Sequence, residues 1–226
     1  MTRPPIYIGL TGYAGTGKDT VADLLTAHCG AARVAFADKL RAEVCEAYCI
    51  DPEMLTRRET KEHPMSALAL YRCLDADFAK ALRAAVGDVD AFAPRSPRQI
   101  VQWWGTEYRK ADRPFYWIDH AYISCCQAIL GGAKTIVLPD VRSQPEADAV
   151  RAAGGVLWQI KRPGYGPGAG HAGHSSDTDG SAWAPDEIIT NAHDIGHLQH
   201  LVLSAYSRLR CPPLQERTTR LEKALP

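Results

Sequence analysis

The chain has 226 residues, which is long enough for one domain with a substantial hydrophobic core. Its 26 basic residues equal its 26 acidic residues, so the formal net charge is zero. This balance argues against a protein that coats nucleic acid or an anionic membrane, while it leaves room for a local basic pocket that binds phosphate.

Hydropathy and cysteine usage indicate the compartment. The sequence has no run of roughly 20 apolar residues, which would predict a membrane-spanning helix. Its first residues lead directly into a strand-like segment rather than a signal peptide. The seven cysteines are an odd number and include no C-x-x-C pair, so we expect reduced thiols. These features favour a cytoplasmic protein without a membrane partner.

Apolar runs and glycine-rich turns divide the chain into alternating strands and helices. The first predicted strand, at 6–11, is apolar and ends at a glycine-rich turn, which is typical of a buried parallel strand. In chain order, the sequence then predicts a helix at 19–28, a strand at 33–36, helices at 39–48, 54–62 and 66–86, a loop at 87–97, helices at 98–110 and 117–130, a strand at 135–138, a helix at 145–153, a strand at 156–160, a loop at 162–185, a strand at 188–190 and a helix at 197–209.

This alternation is typical of an α/β protein in which helices cover both faces of a parallel sheet and form three layers with it. We expect one domain over residues 1–211, with an acceptor-binding helical insertion at about 51–131, a lid at about 162–185 and a tail at 212–226. Ligands of such sheets bind beyond the carboxyl ends of the strands. The glycine-rich turn, Asp38 and Asp140 all follow predicted strands, so they are expected to meet at one crevice.

The turn after the first strand reads Gly12-Tyr-Ala-Gly15-Thr16-Gly17-Lys18, which matches the first seven positions of the phosphate-binding pattern G-x-x-x-x-G-K-[ST]. Its glycines let the backbone wrap tightly and expose N–H groups to phosphate oxygens. Lys18 supplies a point charge, and the helix that follows adds the positive end of its dipole. The pattern predicts a site for ATP, the alternative being a glycine-rich turn without a ligand.

The residues that would hold magnesium depart from the pattern. Asp19 stands where the pattern has Ser or Thr, and Thr20 follows one position later. Asp19 could hold magnesium through water or could stabilise the helix start electrostatically. Asp140 ends an apolar strand, as the magnesium-binding acid of such sites does, although it could instead cap the next turn. We expect Thr20 and Asp140 to be the groups nearest to Mg²⁺.

Candidate residues for the acceptor follow the second strand and surround a tryptophan pair. Asp38 and Lys39 stand where an acceptor would approach; Asp38 could accept a proton or contact a sugar, or it could be a plain helix N-cap. Trp104 could stack on a base, although such residues more often belong to the core. The polar candidates around it are Arg98, Gln102, Glu107 and Arg109. At helical spacing, Arg98, Gln102 and Arg109 lie near one face.

Two later arginines are candidates for stabilising a transferring phosphoryl group. Arg142 lies two residues after Asp140, and Arg162 opens the predicted lid. Each could instead be an ordinary basic surface residue. The histidines and aspartates of the lid do not predict a metal site, because their loop is too rich in glycine; they are His171, His174, Asp177 and Asp179.

Several segments fit one pattern when they are taken together. They are Gly17-Lys18-Asp19-Thr20, Phe36-Ala37-Asp38-Lys39-Leu40-Arg41, Arg98 through Glu107 with Arg109, Asp140-Val141-Arg142 with Glu146-Ala147-Asp148, Arg162-Pro163, and His174-Ser175-Ser176 with Asn191. As a set, they resemble the phage-type deoxynucleoside monophosphate kinases over residues 6–203. The chain departs from that family in its long, glycine-rich lid, which lacks the glutamate expected after the lid histidine.

The resemblance implies the P-loop NTPase fold of the nucleoside monophosphate kinases. It implies transfer of the γ-phosphoryl group of ATP to a deoxynucleoside 5′-monophosphate, with Mg²⁺ bridging the donor phosphates. Positioning and electrostatics carry such reactions, so Arg109, Arg142 and Arg162 would neutralise charge beside Lys18, and Asp38 would contact the acceptor. A protein of this family from a phage would work in the host cell cytoplasm, and a homodimer is an open possibility.

Two other functions fit the sequence. The departures in the lid are compatible with a P-loop kinase that phosphorylates a modified base or hydroxyl group within DNA, although the zero net charge counts against a nucleic acid partner. A non-enzymatic nucleotide-binding module would bind ATP or GTP and transfer nothing. The number of arginine candidates beyond the phosphate loop counts against this third function.

Overall fold

The computed structural model describes residues 4–57, 59–166 and 183–210. The chain falls into two compact units, one made of residues 1–34 and 125–226 and the other of residues 35–124. The α-helices of the described residues are α1 (Lys18–Cys29), α2 (Ala37–Tyr48), α3 (Pro52–Thr56), α4 (Ala76–Val86), α5 (Pro97–Trp103), α6 (Tyr116–Leu130), α7 (Gln144–Ala152) and α8 (Ile195–Arg210). The strands are β1 (Ile6–Thr11), β2 (Ala32–Arg33), β3 (Thr135–Leu138), β4 (Val156–Lys161) and β5 (Glu187–Thr190).

The first unit is built around a parallel sheet. Within the described residues, its five strands lie in the order β2-β3-β1-β4-β5, and every neighbouring pair is parallel. The apolar strand β1 is central, and its Gly9 pairs with Leu138 of β3 on one side and with Leu157 of β4 on the other. The parallel sheet predicted from the sequence is confirmed.

Helices cover both faces of this sheet. On one face, Leu10 of β1 belongs to the same hydrophobic cluster as Val21 of α1 and Val202 of α8. On the other face, a Cβ atom on Gly9 would lie 3.2 Å from the side chain of Val150 in α7. Because successive residues of a strand point to opposite faces, α7 covers the face opposite to α1 and α8. The three-layer α/β architecture is therefore confirmed.

The second unit packs its helices around aromatic side chains. The ring of Phe78 in α4 lies 4.7 Å from the ring of Trp104, measured between centroids, and Trp117 of α6 belongs to the same cluster. α5 runs directly into a π-helical segment, Trp104–Lys110. The helix predicted at 98–110 is thus present, but its second half is wound as a π-helix rather than as an α-helix.

The strand predicted at 33–36 is wrong beyond its first residue. After β2, the N–H group of Val34 makes one more backbone hydrogen bond, to the carbonyl of Val137 at 3.0 Å. The N–H group of Ala35 donates instead to the carboxylate of Asp38 at 2.8 Å. That hydrogen bond belongs to the start of α2 rather than to the sheet, so the pairing of β2 with β3 ends before this residue.

The single helix predicted at 66–86 is also wrong. The N–H group of Tyr71 donates to the carbonyl of Ala91 at 3.1 Å, and that of Leu74 donates to the carbonyl of Ala47 at 2.8 Å. Neither group is left for an intrahelical bond. In place of the helix are 3₁₀ turns at Ser66–Leu68 and Leu70–Arg72, followed by α4. The helix predicted at 54–62 is likewise shorter and earlier, since α3 begins at Pro52 and ends at Thr56.

The described part of the chain contains neither a membrane-spanning helix nor a disulfide bond. Every helix found there is too short or too polar to cross a lipid bilayer. The cysteines described are all free thiols; they are Cys29, Cys45, Cys49, Cys73, Cys125 and Cys126.

Replacing Leu25 by alanine tests the packing of α1 on the sheet. Leu25 is fully buried in the cluster between α1, α8 and the sheet, so Leu25→Ala should lower the free energy of unfolding by about 2–5 kcal/mol. The matched control is Leu130→Ala, because Leu130 is 88% exposed and its loss should cost less than about 0.5 kcal/mol. Urea unfolding followed by tryptophan fluorescence measures both changes, and equal losses would contradict the assigned packing.

Candidate phosphate-binding site

The loop between β1 and α1 has a backbone that favours glycine. Gly12, Gly15 and Gly17 have φ angles of 131°, 79° and 106°, which lie in the left-handed region that residues with a Cβ atom rarely adopt. Gly17 is also the last residue before α1. The two glycines that the phosphate-binding pattern requires, Gly12 and Gly17, therefore stand at positions where this loop turns, and Gly15 between them provides a third.

Neighbouring groups approach the same three glycines closely. A Cβ atom would lie 2.3 Å from the carbonyl oxygen of Ile160 if it were added to Gly12, and 2.6 Å from the side-chain nitrogen of Asn191 if it were added to Gly17. At Gly15 it would lie 2.7 Å from the ring of Tyr165. The loop is thus enclosed by residues that follow or end β4 and β5, and it has no room for larger side chains.

Lys18 and Thr16 bind back to the loop itself. The Lys18 ammonium donates to the carbonyl oxygens of Gly12 at 2.6 Å and of Tyr13 at 2.8 Å. The hydroxyl group of Thr16, which is buried, donates to the same Tyr13 carbonyl at 2.9 Å. A positive charge is therefore held against the loop at the start of α1, where the helix dipole adds positive potential. Together these features suit the binding of an anion.

Arg162 and Tyr165 lie beside the loop. The Arg162 guanidinium lies 4.9 Å from the centre of the Tyr165 ring and donates to the carbonyl oxygen of Gly15 at 3.5 Å. Both residues line an open pocket of about 410 Å³, together with Tyr13 and Thr16. The structure therefore brings the predicted residue Arg162 to the phosphate loop. The other predicted features of the lid, including His174, lie outside the described residues.

Asp140 and Arg142 follow β3 at the carboxyl edge of the sheet. The last residue of β3 pairs with Gly9 of β1, so both strands end on the same side as the phosphate loop. The N–H groups of Arg142 and Ser143 donate to the carboxylate of Glu146, at 2.7 and 3.0 Å. Glu146 is buried and belongs to the capping box of α7. It fixes the backbone of the turn that carries Asp140 and the exposed side chain of Arg142.

Asp19 has a partner other than a metal ion. Its carboxylate forms an ion pair with Arg33, which also donates to Asp23 at 2.9 Å. This contact favours the electrostatic role at the start of α1 over magnesium binding through water. A metal-binding role of Thr20 stays a prediction, as does that of Asp140.

In the second unit, a buried carboxylate organises residues that the sequence predicted as acceptor-binding. Glu43 of α2 is 6% exposed and accepts hydrogen bonds from Trp104 at 2.9 Å, from Arg109 at 2.8 Å and from Tyr116 at 2.5 Å. Lys39 forms an ion pair with it at 3.5 Å. We did not predict Glu43, although a signal existed, since its position falls on the apolar face of α2 between Leu40 and Ala47.

Aromatic side chains as well as carboxylates contact Arg109. Its guanidinium lies 4.2 Å from the centre of the Tyr108 ring and 5.3 Å from that of Tyr116, and it forms an ion pair with Asp75 at 3.9 Å. The Tyr108 hydroxyl donates to the same Asp75 carboxylate at 2.9 Å. Burial, with this hydrogen bond, raises the pKa of Tyr108 to about 12, so the hydroxyl stays a donor at neutral pH. Arg109 is thus oriented from several sides.

The remaining predicted residues of this unit differ in environment. Trp104 is 1% exposed, which favours the core alternative over stacking on a base. Asp38 is not the N-cap of α2, because the helix begins at Ala37 with Phe36 as its cap; Asp38 lies in the first turn and forms an ion pair with Arg41 at 3.3 Å.

Three further candidates lie on α5 and the π-helical segment. Arg98 forms an ion pair with Glu62, and Gln102 is exposed. One carboxylate oxygen of Glu107 is buried and has no hydrogen-bond partner among the described residues. Arg98 is therefore paired with an opposite charge, whereas one oxygen of Glu107 is left without a hydrogen-bond donor among the described residues.

The Glu43 network makes stability depend on pH. Burial raises the pKa of the Glu43 carboxyl, but the hydrogen bonds from Tyr116, Trp104 and Arg109 and the charge of Arg109 outweigh it, so the net pKa is lowered. A carboxyl group with a lowered pKa stabilises the folded state fully above its unfolded pKa of about 4.3. That contribution is lost as the pH falls from there through the folded pKa.

Replacing Glu43 by glutamine tests this network. At neutral pH, Glu43→Gln should lower the free energy of unfolding by about 2–4 kcal/mol, because buried donors lose a charged acceptor. The gap to the wild type should narrow below about pH 4.3 as the wild-type carboxyl becomes protonated. Urea unfolding of both proteins over a pH series measures this difference in unfolding free energy. The control is Glu46→Gln, since Glu46 is exposed on the same helix. A gap independent of pH would contradict the assignment.

Comparisons with known proteins relate the chain to a kinase-like relative. No protein-family model matches it. It is 25% identical over 174 residues to a protein of Acanthamoeba polyphaga mimivirus that carries the provisional name deoxynucleotide monophosphate kinase, and the match covers 70% of this chain and 75% of the relative. The structure of this chain is similar to that of TT1252 from Thermus thermophilus, with a TM-score of 0.49 and 15% sequence identity. The match covers 90% of this chain and 97% of that protein.

Proposed function

We propose that the protein is a nucleotide kinase that transfers the γ-phosphoryl group of ATP to a deoxynucleoside 5′-monophosphate. The observation that carries the proposal is the loop after β1, in which three left-handed glycines and Lys18 lie at the carboxyl edge of a parallel sheet. This arrangement suits the binding of phosphate. The name of the mimivirus relative supports the acceptor class.

In this proposal, the phosphate loop holds the donor. Backbone N–H groups of the loop bind the β- and γ-phosphates, and Lys18 places its ammonium charge on them. Arg162, which already contacts the loop through Gly15, neutralises charge that develops on the transferring group. Arg142 acts from the turn that Glu146 holds in place.

The residues at the loop are compatible with a magnesium ion held mainly by substrate. Within the described residues, no three metal-ligating side chains cluster. Mg²⁺ in such sites is usually bound by one or two protein groups together with substrate phosphates. Thr20 and Asp140 would hold it here, and when bound it would neutralise charge on the donor phosphates.

Arg109 and Lys39 supply the positive charge for the acceptor. Both are partly exposed, at 27% and 40% of their side chains, and both form ion pairs with Glu43. The Arg109 Nε–H donates to Glu43, and the terminal amino groups of a guanidinium suit the two-pronged binding of a phosphate. Asp38 is the candidate contact to the acceptor sugar or to the attacking oxygen.

Replacing Lys18 by alanine tests the proposed function. With ATP, magnesium and each of the four common deoxynucleoside monophosphates, the wild type should form a diphosphate from at least one of them. Lys18→Ala should lower kcat/KM by about 100-fold or more, because a charge aimed at the transition state is removed. The control is Lys80→Ala, which changes an exposed lysine of α4 and should leave the rate unchanged. Chromatographic detection of diphosphate and ADP measures both products.

Other outcomes of the same assay identify the alternatives. Label transferred to DNA but to no free monophosphate would replace the proposed acceptor by a group within DNA. Tight binding of ATP or GTP with no transfer to any acceptor would favour a non-enzymatic module. Full ATP affinity in Lys18→Ala would contradict the assignment of the phosphate loop itself.

A further inference from the structure

Asn191 connects the end of β5 to the phosphate loop. It directly follows β5, and its side-chain amide donates a hydrogen bond to the carbonyl oxygen of Thr16 at 3.0 Å. Its backbone N–H donates to the carbonyl oxygen of Lys161, the last residue of β4, at 2.7 Å. The backbone bond anchors Asn191 to the sheet, so its side chain holds the loop from a rigid element.

The hydrogen bond to Thr16 has a consequence for the next N–H group. The Thr16 carbonyl and the Gly17 N–H belong to one peptide unit, and in a planar trans peptide they point in opposite directions. An amide that fixes the carbonyl on the Asn191 side therefore directs the Gly17 N–H to the other side. Gly17 immediately precedes Lys18, the first residue of α1, and its N–H group is among those that the phosphate-binding pattern exposes.

Steric fit between Gly17 and Asn191 is independent support. A Cβ atom on Gly17 would lie 2.6 Å from the Asn191 side-chain nitrogen, which is closer than Cβ atoms approach nonbonded heavy atoms in proteins. The other left-handed glycine at an end of α1, Gly30, has nothing within 4 Å of such a Cβ atom. Asn191 thus occupies the space that the glycine of the pattern leaves open.

We propose that Asn191 is a positioning residue of the donor site: it holds the Thr16–Gly17 peptide so that the Gly17 N–H binds a phosphate oxygen of the nucleoside triphosphate. This inference rests on the proposed function, because it assumes that the loop binds a triphosphate. Asn191 acts through the backbone and does not touch the nucleotide. Its loss should therefore weaken donor binding selectively, while the acceptor site in the other unit is unaffected.

Three variants of the full chain test the proposal by calorimetric titration with ATP and magnesium. Asn191→Ala should raise the dissociation constant for ATP about five- to tenfold, as the loss of one hydrogen bond predicts. Asn191→Asp should raise it further, because a carboxylate oxygen would face the Thr16 carbonyl. Ile188→Ala, which changes a half-exposed residue of β5, the strand that Asn191 follows, should bind ATP as the wild type does. The melting temperatures should be similar, and in turnover KM for ATP should rise while KM for the acceptor stays unchanged.

A double-mutant cycle distinguishes a positioning role from a general loss of stability. Gly17→Ala should weaken ATP binding more in the wild type than in Asn191→Ala, because removing the amide relieves part of the clash. If Asn191→Ala and Asn191→Asp bind ATP as tightly as the wild type, or if KM rises equally for both substrates, the proposal is wrong. If the wild type binds no nucleoside triphosphate, the proposed function fails and this inference fails with it.

Discussion

The site depends on a backbone constraint at the loop between β1 and α1. Three glycines there have positive φ angles, and at each of them a Cβ atom would collide with a neighbour: the Ile160 carbonyl, the Tyr165 ring or the Asn191 amide. Left-handed backbone is strained for other residues, so the loop can turn this way only with glycine. This backbone conformation places Lys18 at the start of α1, where its ammonium contacts the loop carbonyls.

The residues that bind ligand in the proposed mechanism are positioned by other residues, which themselves bind no ligand. Glu146 accepts the backbone N–H groups beside Arg142, and Asn191 donates to the phosphate loop. In the second unit, Glu43 accepts hydrogen bonds from Arg109 and from two aromatic residues. Each of these supporting side chains is anchored on a helix or at the end of a strand. Catalysis by positioning and electrostatics needs charged groups that are already oriented before the substrate arrives.

Local patterns in the sequence predicted strands β1, β3 and β4 and the glycine-rich turn after β1, because each of these is marked by residues that are adjacent in the chain. The apolar run of β1 followed by Gly12 is an example. The helix predicted at 66–86 was wrong because distant partners decide the structure there. The N–H group of Leu74 bonds to Ala47 rather than within a helix, and nothing near Leu74 in the sequence indicates this. The position of Glu43 on the apolar face of α2 could have been noticed, but its partners could not, since its donors are Trp104, Arg109 and Tyr116, more than 60 positions away.

The most direct test of the account is an NMR titration of the isotope-labelled protein with ATP and magnesium, observed at the backbone amides. The account predicts that the amide signals of Gly15, Gly17 and Lys18 shift strongly and saturate together. The signal of Gly30, which also has a positive φ angle but lies at the other end of α1, should stay in place. Saturable ATP binding that leaves the three loop amides unshifted would contradict the assignment of this loop as the phosphate site.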